Sequence, residues 1–155
     1  MLYTNQEANW GPVIPNEVPQ GSHLTLELPL RYQNTLVALL LKEGIHGADN
    51  SKLFFPHGLI RFGESIETAL KRIVREIACV DVLSFNAVSF EAWLDDEQHY
   101  HICATLLARI SQLPVKQGNI ADVIAFRPGK LPDRPFAWWA NEDIHALFRR
   151  QWDDI

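Results

Sequence analysis

Apolar residues recur at helical spacing between residues 65 and 78. They fall at i, i+3, i+4, i+7, i+8 and i+11, the stripe of an amphipathic helix, and are Ile66, Ala69, Leu70, Ile73, Val74 and Ile77. A second helix is predicted at residues 141–152, because Asn141 can cap its start, acidic residues follow in the first turn, and arginines occupy the last.

The other apolar positions predict strands. LTLELPL at 24–30 alternates apolar and polar residues, and Pro29 confines this strand to an edge or a strand end. TLVALLLK at 35–42 predicts a central strand buried on both faces. Four further strands are predicted at residues 53–62, 82–94, 99–110 and 123–127, the first of them broken by prolines and glycines. This order predicts an α/β (α+β) fold, a mixed sheet sandwiched between helices.

The length and composition predict one domain over residues 1–155, with residues 1–22 as an extended N-terminal arm. The chain has 155 residues, 47% hydrophobic and 21% charged, enough to bury roughly two-thirds of its unfolded surface in one core. The apolar run at 35–41 is too short to cross a bilayer. The N-terminus lacks the basic flank and apolar core of a secretory signal. We therefore expect a cytoplasmic protein with no membrane partner.

The charge and the cysteines exclude two further classes. Fourteen Lys and Arg residues against nineteen Asp and Glu residues leave a net charge of -5, which disfavours nucleic acid as a partner. Cys79 and Cys103 form no C-x-x-C pair, and their apolar surroundings predict that both pack in the core. A structural zinc site is therefore not expected.

The segment GLIRFGESIETALKRIVREIACV at 58–80 resembles the Nudix box, G-x5-E-x7-R-E-U-x-E-E-x-G-U, where U is aliphatic. The matching positions are Gly58, Glu64, Arg72, Val74, Glu76 and Val80. LFFPHG before it resembles the aromatic-x-P-G-G entry of that family, and FAWWANEDIHAL resembles its late tryptophan strand and final helix. The resemblance covers residues 24–150 and implies a Nudix (MutT-like) fold.

Two box glutamates are replaced, by Ile73 and Ile77. In this family the helix presents carboxylates to Mg²⁺, a hard cation that takes oxygen ligands. At about 100 degrees per residue, Ile73, Glu76 and Ile77 share one arc of the helix, and the two aliphatic residues supply no ligand. The resemblance thus leaves Glu76 and Glu64 as catalytic and metal-binding candidates, for a single weakly held Mg²⁺ (or Mn²⁺) ion.

Other box positions have roles that the resemblance implies. Gly58 and Arg72 are expected to hold the box together structurally. His57 replaces the first glycine of the family's entry motif and is either a turn residue or a substrate-binding donor. Ile73 and Ile77 either pack inward or face a ligand, the arm or another subunit.

Several polar and aromatic residues lie outside the box. His99 and His101 share one strand face, which suits a metal or a general base, although chance pairing on an exposed strand explains them as well. The acidic residues at 95–97 predict a solvated loop. Trp138 and Trp139 are expected to pack in the core, because alternate faces of a strand cannot both line one pocket.

The resemblance implies a Nudix hydrolase-family protein that binds a nucleoside diphosphate linked to another moiety, such as a nucleotide sugar. With its depleted box, hydrolysis would be slow or rerouted. The GDP-mannose mannosyl hydrolase branch is similar in kind, since its box is also depleted, but no residue here matches the catalytic histidine of that branch. The alternative is a catalytically inactive domain serving as a ligand-binding or protein-interaction module. A third hypothesis is a purely structural subunit of a homodimer, because Nudix domains commonly pair.

Overall fold

The computed structural model describes residues 22–43, 51–61, 63–94 and 100–150. The predicted arm, apart from Ser22, lies outside the described residues, as do the acidic loop at 95–97 and residues 151–152. The elements in chain order are β1 (Ser22–Glu27), β2 (Leu30–Tyr32), β3 (Thr35–Leu41), β4 (His57–Leu59), α1 (Ile66–Ala78), β5 (Val82–Leu94), β6 (Tyr100–Ile110), β7 (Ile120–Phe126) and α2 (Asn141–Arg150).

The strands form one mixed sheet in the order β4-β1-β6-β2-β3-β7, with β5 also paired to β6. β6 runs parallel to β1 and β2 and antiparallel to β5. The predicted strand at 24–30 is two strands, because Pro29 has no N–H to donate, although its carbonyl accepts from the Ala108 N–H at 2.9 Å. At this break the chain changes partner, since β1 pairs with β4 and β2 pairs with β3.

The sheet has a buried core on each face, as the predicted sandwich requires. Along β1, Leu24 and Leu26 point to the side that packs against α1, while Thr25 and Glu27 point to the other side. Along β3, alternate residues likewise join one core with α1 and another with α2. The predicted mixed sheet between helices is therefore confirmed. Among the described residues, no helix is long and apolar enough to cross a membrane.

Helix α1 begins and ends close to the predicted bounds. The Ser65 hydroxyl accepts from the Thr68 N–H at 3.1 Å and caps the first turn. At the other end Cys79 has φ 59°, and its N–H donates to the Arg75 carbonyl at 3.1 Å. This left-handed cap is the position at which the Nudix box has glycine. Cys79 is exposed there, so its predicted core packing is wrong, whereas Cys103 is buried as expected.

Cys79→Gly is expected to stabilise the protein by about 0.5–1 kcal/mol. A side chain in the left-handed region costs about 1–2 kcal/mol, which exceeds the entropy cost of glycine. Urea unfolding of the reduced protein measures the change. Cys79→Ala is the matched control, because it removes the thiol and keeps Cβ. An equal gain in both variants would show that the thiol, and not the backbone conformation, carries the cost.

Strand β7 begins three residues earlier than predicted. It pairs antiparallel with β3, and a register shift between Leu40 and Leu41 brings Ile120 opposite Leu41, where Ile120 is buried. Ala121 and Asp122 lie shortly after Gly118 and Asn119, so the sequence alone predicts a loop there. The pairing extends the strand through them, which is a tertiary effect that local propensity does not contain.

Helix α2 begins at Asn141, and its N-cap lies one residue earlier than predicted. The Ala140 carbonyl accepts the first bonds, from the N–H groups of Asp143 at 3.0 Å and Ile144 at 3.2 Å. Asp143 Oδ2 also accepts from the Ala140 N–H at 3.3 Å. Ala140 therefore holds the cap position, and the side chain that satisfies it is that of Asp143 rather than Asn141.

Candidate functional site

Glu64, just before α1, and Arg72, in the middle of α1, form a two-bond ion pair. Arg72 Nε lies 2.7 Å from Glu64 Oε2, and Arg72 Nη2 lies 2.9 Å from Glu64 Oε1. Arg72 Nη2 also donates to the Leu59 carbonyl at 2.9 Å, and the Arg61 N–H donates to Glu64 Oε1 at 2.7 Å. The pair therefore joins the helix to the end of β4 and to the turn between them.

These bonds fix the charge of both groups. The hydrogen bond from Arg72 lowers the pKa of Glu64 below its usual value, with help from the Arg61 N–H. The same bond raises the pKa of Arg72. Both oxygens of Glu64 thus accept from protein donors, and its negative charge is neutralised within the protein.

Glu76 lies on the next turn of α1, between two guanidinium groups. Its Oε2 is 3.2 Å from Arg72 Nη1, and its Oε1 is 3.6 Å from Arg61 Nη2. The Glu76 side chain is 49% exposed. It is accessible to solutes, but positive charge already lies beside each of its oxygens.

Ile73 and Ile77 point into the core between α1 and the sheet. Their exposed fractions are 2% and 7%. A Cβ added at Gly58 would lie 3.3 Å from both Cδ1 and Cγ1 of Ile73. Gly58 thus packs closely against the Ile73 side chain, and the arc where the Nudix box has ligands is filled by apolar packing.

The residues on this side of the sheet do not fit a magnesium cluster. Mg²⁺ requires oxygen ligands, and Ile73 and Ile77 have none. Glu64 and Glu76 have their oxygens beside arginines. Across the described ranges, no three His, Cys, Asp or Glu side chains converge as a metal-binding group.

A cavity of about 750 Å³ lies on the opposite face of the sheet, beneath α2. Strands β1, β4, β5 and β6, the segment before α2, and α2 itself contribute its walls. The residues lining it are Thr25, Glu27, His57, Val88, Ser89, Glu91, Trp93, Cys103, Thr105, Trp138, Trp139, Asp143, Ala146 and Leu147. The volume is in the range of small-molecule sites, about 300–1,000 Å³.

Both tryptophans of the WW pair line this cavity. Trp138 lies in a bend and neither tryptophan is in a strand, so the prediction that they could not share one pocket is wrong. The ring of Trp138 lies edge-on to His57, with centroids 4.7 Å apart, and Trp139 lies edge-on to Phe55 at 5.4 Å. Trp138 is 62% exposed. An aromatic wall with one solvent-facing ring is available to a flat or cationic ligand.

Glu27 is a mostly buried carboxyl group of the cavity. Burial raises its pKa to about 7, and a hydrogen bond from the Trp139 side chain opposes part of that rise. Its Oε2 is buried and has no hydrogen-bond partner among the described residues. Burial also raises the pKa of the neighbouring Cys103 thiol to about 12, so this sulfur stays protonated. The cavity therefore holds one polar atom that a ligand can satisfy.

His57 connects the two faces of the sheet through β4. Its Nδ1 lies 3.1 Å from the Phe55 carbonyl, so the ring is oriented by the backbone while it lines the cavity. The next residue, Gly58, faces Ile73 on the α1 side. The edge strand β4 therefore lies between the cavity on one face of the sheet and α1 on the other.

The predicted histidine pair is only partly described. His101 stacks on Trp93 with ring centroids 5.2 Å apart and an angle of 13°, and Trp93 lines the cavity. His99 lies outside the described residues. Glu27 was not predicted from the sequence as a site residue. The available signal was its polar position in LTLELPL, on a strand whose sheet is covered on both faces.

Solved structures share this fold. A mutator MutT protein from Bacillus halodurans aligns with a TM-score of 0.61 at 15% identity, covering 84% of this chain and 82% of that chain. A MutT Nudix hydrolase from Burkholderia pseudomallei aligns at 0.60 and 13% identity, covering 76% and 92%. A point mutant of the Bacillus subtilis pyrophosphohydrolase BsRppH aligns at 0.60 and 16% identity, covering 80% and 77%.

No family model matches the sequence, and no curated protein matches it. At the identities of the solved structures, the likeness shows the fold. The Nudix fold predicted from the resemblance is therefore confirmed.

Proposed function

We propose that this Nudix-fold domain binds a small nucleotide-derived molecule, a nucleoside diphosphate linked to another group, in the cavity beneath α2. The observation that carries the proposal is the cavity itself, with its aromatic wall and its unsatisfied Glu27 oxygen. Concave sites that combine apolar walls with a few oriented polar groups are the usual form of small-molecule sites. The resemblance to the Nudix box, together with the pyrophosphohydrolase of the same fold, supports a diphosphate-linked nucleotide as the ligand class.

The charges on the two sides of β4 indicate how such a ligand would be oriented. The cavity has carboxylates at Glu27, Glu91 and Asp143 and no Lys or Arg among its described lining residues, so it repels phosphate. Arg61 is 41% exposed on the α1 side. We therefore place the phosphates outside the cavity, towards Arg61, and the base or the linked group inside it.

Binding without efficient hydrolysis is the function that this geometry supports best. Burial of Ile73 and Ile77 removes two ligand positions, and the arginines compete with a cation for Glu64 and Glu76. In this proposal Glu64 positions Arg72, and both belong to the structural link between β4 and α1. The second candidate is slow or rerouted hydrolysis around one Mg²⁺ or Mn²⁺ ion at Glu76, which the exposure of that carboxylate favours.

A ligand panel distinguishes the two functions. Nucleoside diphosphate sugars, ADP-ribose, dinucleotides and nucleoside triphosphates are each added with Mg²⁺, with Mn²⁺ or with EDTA. We expect at least one compound to raise the melting temperature equally in all three conditions, because binding at the cavity needs no metal. We also expect no phosphate-linked product above background.

Glu76→Gln and Glu67→Gln form the matched pair for this panel. Glu67 lies on the exposed face of α1 beside Lys71. Its substitution removes one negative charge from the same helix, at a position that faces neither side of β4. Glu67→Gln should leave binding unchanged, and Glu76→Gln should not weaken it, because it removes only the carboxylate that competes with the phosphates for Arg61. Turnover that disappears in Glu76→Gln and persists in Glu67→Gln would overturn the proposal in favour of the single-metal enzyme.

A further inference from the structure

We propose that the cavity beneath α2 selects a positively charged amine, and that Glu27 is the residue that determines this specificity. This inference rests on the proposed function only in taking the cavity as a ligand site. If both hold, the group linked to the nucleoside diphosphate carries an ammonium.

The charge distribution of the cavity excludes an anion and favours a cation. Carboxyl groups reach it from three elements, Glu27 from β1, Glu91 from β5 and Asp143 from α2, while its other titratable side chains are His57 from β4 and Cys103 from β6. No described lining residue is Lys or Arg. In a partly enclosed site of low dielectric, such an imbalance raises the local concentration of cations.

The unsatisfied oxygen determines what kind of cation fits. Glu27 receives a hydrogen bond from Trp139, yet its buried Oε2 has no partner among the described residues. A buried acceptor without a donor costs free energy that a ligand N–H would recover. An ammonium with at least one N–H therefore fits better than a quaternary ammonium, which has charge but no donor.

The aromatic side chains complete the site. Trp93, Trp138 and Trp139 all line the cavity, and His57 lies edge-on to Trp138 with centroids 4.7 Å apart. Tryptophan faces attract cations, more strongly than other aromatic faces do. Carboxylate and indole groups around one space are thus complementary to an organic ammonium in charge.

The affinity should also depend on pH in a defined direction. Burial raises the pKa of Glu27 to about 7, and an ammonium binds its ionised form. Affinity should therefore rise as the pH increases from 6 to 8. A ligand that accepted a hydrogen bond from protonated Glu27 would show the opposite trend.

Four small probes of similar shape test the inference without any nucleotide. Benzylammonium has charge and N–H donors, benzyltrimethylammonium has charge alone, benzyl alcohol is a neutral donor, and benzoate is an anion. Binding is followed at pH 8 through the indole N–H signals of the 155-residue protein in ¹⁵N NMR titrations. We expect benzylammonium to bind tightest, benzyltrimethylammonium more weakly, and benzoate not at all.

The variants assign the effect to Glu27. Glu27→Gln should weaken benzylammonium about tenfold or more, the size of a lost charge-assisted bond, and should affect benzyl alcohol little. Glu67→Gln, on the outer face of α1, should change neither. Equal binding of benzoate and benzylammonium to the unaltered protein would overturn the inference, as would an unchanged benzylammonium affinity in Glu27→Gln.

This test can fail independently of the proposed function. A protein that binds a panel nucleotide but shows no preference for benzylammonium would retain the proposed function and lose the inference. A protein that binds benzylammonium through Glu27 and no panel nucleotide would do the reverse.

Discussion

Ile73→Glu is expected to lower the free energy of unfolding by about 3–5 kcal/mol at pH 7, the range for an uncompensated buried charge. Ile73 is 2% exposed and packs against Gly58. The new carboxylate would be held in apolar surroundings with no room to reach water. Urea unfolding monitored by tryptophan fluorescence measures the loss.

Ile66→Glu is the matched control, since it makes the same change on the same helix at a side chain that is 39% exposed. Its cost should be below about 1 kcal/mol. Similar costs for the two variants would show that Ile73 does not fill the core.

Glu27→Gln is expected to stabilise the protein above pH 7 and to have a much smaller effect near pH 4.5. Burial raises the pKa of Glu27 from 4.5 to about 7, so between these values the folded state binds more protons than the unfolded state. The free energy of unfolding is therefore highest below pH 4.5, where Glu27 is protonated in both states. It falls by up to about 3 kcal/mol as the pH rises towards 7. Glutamine removes that loss because it does not ionise.

The measurement is the difference in free energy of unfolding between Glu27→Gln and the unaltered protein, from pH 4.5 to pH 8. The predicted difference grows with pH and levels off above 7. Glu91→Gln changes a rim carboxyl that is exposed and should alter stability by less than about 0.5 kcal/mol. A difference that stays constant with pH would show that Glu27 is solvated in the folded protein.

Helices and strands with a regular spacing of apolar residues could be predicted from the sequence, because that spacing agrees with the way they pack. The stripe in α1 predicts residues 65–78 against an observed Ile66–Ala78, and the predicted strand at 82–94 is β5. The boundaries that differ depend on partners distant in the chain. Pro29 divides one predicted strand because its two halves pair with different neighbours, and β3 extends β7 back to Ile120.

The candidate site could be predicted only in part. The resemblance located the ion-pairing residues of α1, since their spacing is local. The cavity on the other face combines Glu27, Trp93 and Trp139, which are far apart in sequence and meet only in the folded sheet. The burial that raises the pKa of Glu27 is likewise a tertiary property. Pairing of two copies and a cytoplasmic location stay predictions.

A crystal structure of the complex with the strongest-binding panel compound, grown in EDTA, tests the central claim most directly. We predict ligand density between Trp138, Trp139 and Glu27, with the phosphates outside the cavity and towards Arg61. A ligand that binds only when Mg²⁺ is added, with its phosphates on an ion at Glu76 and an empty cavity beneath α2, would contradict the account.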